Sequence, residues 1–339
     1  MIGGPLRLGF IPLVDCAALA VADAFGLFEA EGLAVTLVRE ASWATIRDKV
    51  QARLLDGAHM LGPMPLASSL GAGGERSPMI APIALNLNGG AISVSHALAE
   101  RMRGLDLPAM SARPRTAQAL KGVVEERRRI GAPLLTFAAV FPYSLHAYVL
   151  RHWLAEAGLD PDRDIRLVIT PPPRMTAQLR SGEIDGFCVG APWNAVAEAD
   201  GSGEILVRIR DLWPRKPDKV LGVPAVFAER EPEALQALLR VLIKAAAWAD
   251  EPQNRPALAR LLAQPQYVGQ PEPILAKSLV EAPGALVFHA GAANLPSLEE
   301  AAWLLGQMRR WGQIGEDVDT AAAAAAVYRP DLYHLAAGS

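Results

Sequence analysis

Through the first hundred residues, short apolar runs alternate with amphipathic stretches, a rhythm that implies strands joined by helices and hence parallel sheet. Strands are predicted at 6–11, 35–38, 57–61 and 79–85, and the run at 92–95 continues the last after the Asn88-Gly89-Gly90 break. Helices are predicted at 17–31, ending at Gly32, and at 45–54, with Ser42 as a natural N-cap. A further helix opens at Pro63-Met64-Pro65, because proline suits a first helical turn.

After a polar, proline- and arginine-rich connection around 105–117 the scheme repeats. Strands are predicted at 134–138, 165–169 and 184–189, with helices at 144–157, 175–180 and from Pro192 onward. The tail is mostly helical, at 232–249, 255–262, 273–280 and 298–311, with a short alanine-rich turn at 321–326. The expected fold is therefore α/β in two similar lobes, residues 1–90 with 222–339 and residues 91–221, around a ligand cleft. Ligands of open parallel sheets bind beyond the carboxyl ends of the strands, where helix N-termini point. Those termini carry unpaired N–H groups and about half a positive charge each, which suits a small anion.

Composition narrows the function. With 339 residues, 51% of them hydrophobic and 20% charged, the chain has room for two well-packed domains. A formal net charge of −3 excludes a chain-wide basic field for gripping nucleic acid, so no direct nucleic-acid contact is expected. Arg127, Arg128 and Arg129 follow Glu125 and Glu126 and read as a solvated helix face. Cys16 and Cys188 lie in apolar surroundings and read as buried thiols; without a His/Cys cluster they make no metal site. No cofactor is expected. From Met1 the chain runs directly into the first strand with no apolar leader, and no uninterrupted apolar run reaches about 20 residues. A cytoplasmic location without membrane contact is the expectation. Nucleophile elbow, Walker loop, His-Glu-x-x-His helix and dinucleotide fingerprint are all absent, so the chain is not expected to be an enzyme.

Several ordered blocks then carry a resemblance. They are Leu8-Gly-Phe-Ile-Pro-Leu-Val-Asp15, Glu40-Ala-Ser-Trp-Ala-Thr-Ile-Arg-Asp48, and Leu55-Asp-Gly-Ala-His-Met-Leu-Gly-Pro-Met-Pro65. Leu85-Asn-Leu-Asn-Gly-Gly90, Arg151-His-Trp-Leu-Ala-Glu-Ala-Gly158, Asp185-Gly-Phe-Cys-Val-Gly-Ala-Pro-Trp-Asn194 and Lys216-Pro-Asp-Lys-Val-Leu-Gly222 follow in order. Together they resemble the nitrate- and bicarbonate-binding proteins of ABC transporters, and imply the periplasmic-binding-protein-like fold with a hinged cleft. A start directly at the first strand is similar to the cytoplasmic NasS-type nitrate/nitrite sensors. That resemblance implies a partner, a NasT-type RNA-binding antiterminator held inactive by the ligand-free sensor and released on anion binding to induce nitrate assimilation.

Nitrate is flat, weakly basic and singly charged, so a site for it needs one or two cationic or N–H donors, an apolar face and no carboxylate nearby. Lys219 resembles the family position where a lysine contacts nitrate and where bicarbonate binders place an acidic residue that helps hold calcium; on residues alone it also reads as a surface lysine beside Arg215 and Lys216. His146, at the start of a helix, can donate an N–H to an anion or serve as a buried cap; the resemblance implies contact. Trp43 can stack on a flat anion while first-turn amides such as that of Ala44 donate, or simply pack its helix on the sheet. Gly190 lets backbone approach a ligand closely, or is a plain strand-to-helix turn. At Gly90 the chain departs from nitrate transporters, which place a glutamine there whose amide contacts the anion; only the backbone N–H remains, which leaves nitrate against nitrite open. His59 and His152 read as structural, and Trp193 as core or cleft wall. Two other readings stay in view. One is a transport component delivering nitrate or bicarbonate to an ABC permease. The other is an enzyme on the same bilobal fold, as in thiamine-pyrimidine synthesis, for which Cys188 would be the residue to watch although its apolar strand points to an inert thiol.

Overall fold

The computed structural model describes residues 2–281 and 286–338. Among these residues there are eleven strands: β1 (Leu6–Phe10), β2 (Val35–Arg39), β3 (Gly57–Leu61), β4 (Met79–Asn88), β5 (Gly90–Ser95), β6 (Thr136–Ala139), β7 (Arg166–Ile169), β8 (Gly186–Gly190), β9 (Gly203–Arg208), β10 (Pro217–Pro224) and β11 (Leu286–Val287). They form two sheets in two compact units. The first unit holds the chain to Asn88, Tyr143–Leu145 and the chain from Arg215; the second holds Gly89–Pro142 and His146–Pro214.

In the first unit the strand order is β11-β4-β10-β3-β1-β2. β1 runs parallel to β2 and β3, whereas β10 runs antiparallel to both β3 and β4. In the second, of order β7-β6-β8-β5-β9, β6 is parallel to β7 and β8 while β5 is antiparallel to β8 and β9. Both sheets are therefore mixed, not purely parallel as the alternating pattern suggested. In each, a reversed strand, β10 or β5, follows a crossing of the chain from the other unit, and the short β11 also runs antiparallel to β4.

These crossings correct two boundaries. Asn88 and Gly89 take φ of 64° and 100°, the left-handed region that a glycine enters without cost. The chain turns there, so β5 enters the second sheet instead of continuing β4. The return falls before Arg215, not at 222, because residues 217–224 form a central strand of the first sheet. Gly90 consequently belongs to the second unit and Lys219 to the first, the reverse of their expected lobes. The two crossing points are tied to each other: the Arg215 N–H donates to Asn88 Oδ1 at 3.1 Å and the Asn88 N–H to the Lys216 carbonyl at 3.1 Å.

The helices follow from local sequence. The predicted helix 17–31 is two pieces, Ala17–Ala24 and Leu27–Ala30, since Gly26 at φ 63° interrupts it. The long helix Pro232–Asp250 packs on Ala17–Ala24 and buries Leu235, Leu238, Leu239 and Leu242. Each such leucine contributes roughly 1.5–3 kcal/mol by leaving water. In the second unit Arg127 and Arg128 end the helix Gln118–Arg129 on its solvated side, where they engage the Pro133 carbonyl and Asp164. Among the described residues no helix is long and apolar enough to cross a membrane.

Candidate functional site

In the first unit the conformation of β10 decides the local chemistry. Pro217 pairs with Leu87 and Lys219 with Asn86, so Asp218 is an extra residue, a bulge, between successive pairs. Neighbours on a regular strand point to opposite faces; a bulge re-aims one of them. Asp218 and Lys219 thus meet, with Lys219 Nζ 2.6 Å from Asp218 Oδ2 and 2.8 Å from Asp15 Oδ2. Asp15 sits in the turn after β1, and its other oxygen lies 2.8 Å from Nε2 of His59 on β3. All four side chains are at most 1% exposed.

Trp43 closes the cluster. Ser42 accepts from the Thr45 N–H at 3.1 Å, and the helix it caps is Trp43–Gln51, two residues earlier than predicted. Trp43 and Ala44 therefore open that helix, and the half-buried Ala44 lies in its first turn. The Trp43 ring centroid is 5.7 Å from Lys219 Nζ and 5.3 Å from the His59 ring. Its indole Nε1–H, fully buried, has no acceptor among the described residues.

Electrostatics hold the cluster charged. Burial alone would push the Asp15 carboxyl up, but the charges of Lys219 and His59 overcome that and hold it well below the usual carboxylate range. Burial likewise opposes the charge on Lys219, and the two carboxylates more than restore it, raising the ammonium above its ordinary value. Formally one ammonium faces two carboxylates. Two carboxylates beside the best cation overturn the expectation of a carboxylate-free site. The cause is physical: an ammonium this deep must be paired, since an isolated charge in the interior costs several kcal/mol. Lys216, by contrast, lies over the Trp303 ring and meets Glu300 at 3.0 Å, so it takes no part.

In the second unit, Gly90 and Gly190 are directly opposed partners of β5 and β8. His146, buried, lies on the helix Leu145–Glu156 with its Nε2 next to Gly90: a Cβ built on Gly90 would stand 3.0 Å from it and 2.5 Å from Cδ1 of Ile209. The turn after Gly190 is fixed by Asn194, which donates to the Val189 carbonyl at 2.8 Å and accepts from Ser93 Oγ at 2.7 Å. Trp193 is buried beyond that turn.

Trp43 and Lys219, with Ala44 adjacent, are therefore together in the first unit, and Gly90, His146 and Gly190 are together in the second. Sequence reasoning missed Asp15, Asp218, His59 and Ile209. Asp218 stood inside the quoted motif, and a polar pair within an apolar, proline-bounded run was the available sign of a bulge. His59, read as merely structural, is the fourth member of the charge cluster; His152 stacks on Trp213 at 4.9 Å in the second unit. Cys16 and Cys188 are both buried, and burial with the neighbouring Asp15 charge pushes the Cys16 thiol far up, which makes it a poor nucleophile. No group of three or more His, Cys, Asp or Glu side chains suited to a metal occurs among the described residues.

Residues 4–263 match the NMT1-like family. The chain is 36% identical to the nitrate import ATP-binding protein NrtC of Synechocystis over 97% of its own length but 49% of that protein's. It is 34% identical to the nitrate/nitrite binding protein NrtA of Synechococcus elongatus, covering 98% of this chain and 77% of that one. The chain spans about half the length of the first curated relatives it matches. The crystal structure of the periplasmic nitrate-binding protein NrtA from Synechocystis superposes with a TM-score of 0.89 at 27% identity, over 98% of this chain and 88% of that one. The fold is that of periplasmic binding proteins, and the chain belongs to the NMT1-like family, in its nitrate/bicarbonate-binding protein group.

Proposed function

We propose that this chain binds nitrate or nitrite and acts as a cytoplasmic sensor, holding a NasT-type RNA-binding antiterminator while empty and releasing it when the anion binds. The observation that carries anion binding is the pairing of a buried ammonium with an orphaned buried donor, Lys219 Nζ and Trp43 Nε1–H. A buried N–H without an acceptor costs about 1–3 kcal/mol, which an oxygen of a bound anion removes. An ammonium has three protons, and with two carboxylates in contact one remains for a third acceptor. The first-turn amide of Ala44 adds a neutral donor on the same helix end, and His146 with the backbone of Gly90 and Gly190 supplies the donors of the second unit.

Support for the ligand comes from relatives that are named nitrate and nitrite binding proteins. The sensor role rests on the resemblance to the NasS-type branch alone, since the ordered blocks themselves resemble the transporter proteins. A second reading is favoured by a specific observation, namely that other relatives are named import ATP-binding proteins. In that reading the chain is the binding component or domain of an importer. A pull-down with the chain as bait, with and without nitrate, separates the two. The sensor reading expects an RNA-binding partner that is retained without nitrate and lost with it. Retention of that partner in saturating nitrate, or capture of permease components instead, contradicts the sensor reading. Bicarbonate binding in the presence of calcium, with no nitrate or nitrite binding, contradicts the ligand assignment.

A further inference from the structure

We propose that Ile209 is a specificity-determining residue of the second unit's anion-binding groups, placed there by a one-residue bulge in β9. The inference rests on the anion reading above and deepens it.

The register carries the argument. Along β5 and β9, Ser93 pairs with Ile205 and Ile92 with Val207, so Leu206 is an extra residue on β9. Past the bulge Ala91 pairs with Arg208, the last pair of the ladder, and Ile209, the next residue, reaches the space beside Gly90 with its Cδ1. Without the extra residue Arg208 would stand opposite Gly90, since a one-residue slip shifts every later pair. The bulge thus exchanges a guanidinium for an sec-butyl group at this point. Ile209 is fully buried and opens the short helix that follows β9.

Contacts show what Ile209 does there. Gly90 has an ordinary φ, so its glycine answers to space and not to backbone conformation. The volume of a side chain at position 90 is taken by Ile209 Cδ1, at 2.5 Å from the built Cβ, and by the His146 ring, at 3.0 Å and 3.1 Å. Ile209 and His146 therefore share one small space: one contributes a polar edge, the other an apolar wall.

Nitrate and bicarbonate are both planar and of similar size, so shape discriminates poorly between them. Bicarbonate is the more strongly hydrated ion, and its hydroxyl needs an acceptor that nitrate does not. A hydrocarbon wall in place of polar partners costs the more hydrated ion more, because its groups lose water without replacement. Ile209 accordingly favours nitrate over bicarbonate without touching a charge.

Calorimetric titration of sodium nitrate and sodium bicarbonate into the wild type, Ile209→Thr and Ile209→Ser tests this. The ratio of bicarbonate to nitrate Kd is expected to fall about tenfold in both variants, because each adds a hydroxyl where the wall stood. An unchanged ratio in both overturns the role of Ile209 while leaving anion binding intact. A wild type that binds neither ion overturns the anion reading itself. Melting curves test the shared space without any ligand. Gly90→Ala should lower the Tm of the wild type clearly and that of an Ile209→Ala background much less; equal shifts in both backgrounds overturn the steric coupling.

Discussion

Replacing Lys219 by methionine keeps the length of the side chain and deletes its charge. Two carboxylates at 2.6 and 2.8 Å from the lost ammonium, both at most 1% exposed, then face each other across an apolar side chain. Removing one partner of a buried ion pair costs about 3–5 kcal/mol. At about 2–4 °C per kcal/mol for a domain of this size, the melting temperature at pH 7 should fall by roughly 6–20 °C. The pH dependence has a definite sign. Asp15 is depressed in the folded protein, so its contribution is complete above about pH 4 and is lost as pH falls through its lower folded value. Lys219 is raised, so its contribution is complete below about pH 10 and is lost as pH climbs through its folded value. The gap between wild type and Lys219→Met should be widest between these limits and narrow in acid, where the stranded carboxylates protonate. Adding Asp218→Asn should recover about half of the loss or more. Urea unfolding at pH 4 and pH 7, with melting curves for all three proteins, measures these quantities. A single variant that melts within about 2 °C of wild type at pH 7 would refute the account of the cluster.

Trp43→Phe keeps an aromatic face but deletes the orphaned Nε1–H together with the pyrrole ring; nitrate affinity should fall about 2- to 12-fold, the range of one hydrogen bond, and the volume lost from this buried side chain should lower the melting temperature while leaving the protein folded. Unchanged affinity by calorimetry would show that this N–H does not meet the ligand. Tyr328→Phe removes a buried hydroxyl that donates to the Gly62 carbonyl at 3.0 Å, at the start of the helix Pro63–Leu70. It should cost about 1–3 kcal/mol in urea unfolding, and nitrate affinity in the folded variant should stay within about twofold.

The legible parts of the fold were those governed by local pattern. The strand Gly57–Leu61 and the helix Arg255–Leu262 match their predicted limits, because apolar runs between clear breakers leave little choice. β10 was missed for the opposite reason: Asp218 and Lys219 read as loop, and only partners distant in sequence, Asp15 and His59, make them affordable inside a sheet. β9 went unread because Glu204 and Arg208 interrupt its apolar run, and it lies at a sheet edge where such residues find solvent or partners. Lys219 and His146 were singled out through the family resemblance. Their surroundings were not, because in both sheets the decisive step is a strand irregularity, a local one at Asp218 and a one-residue register shift at Leu206. Such a shift leaves the composition of the strand unchanged while replacing which side chain faces the candidate donor. That is why the carboxylates beside Lys219 and the wall beside His146 emerge only in three dimensions.

The most direct test of the central claim is calorimetric titration of nitrate into the wild-type chain and into the charge-balanced variant Lys219→Met/Asp218→Asn, with folding of both verified by melting curves. Saturable one-to-one binding to the wild type and none to the folded variant is the predicted result. A wild type that takes up no nitrate or nitrite, or a variant that binds as tightly, would contradict it.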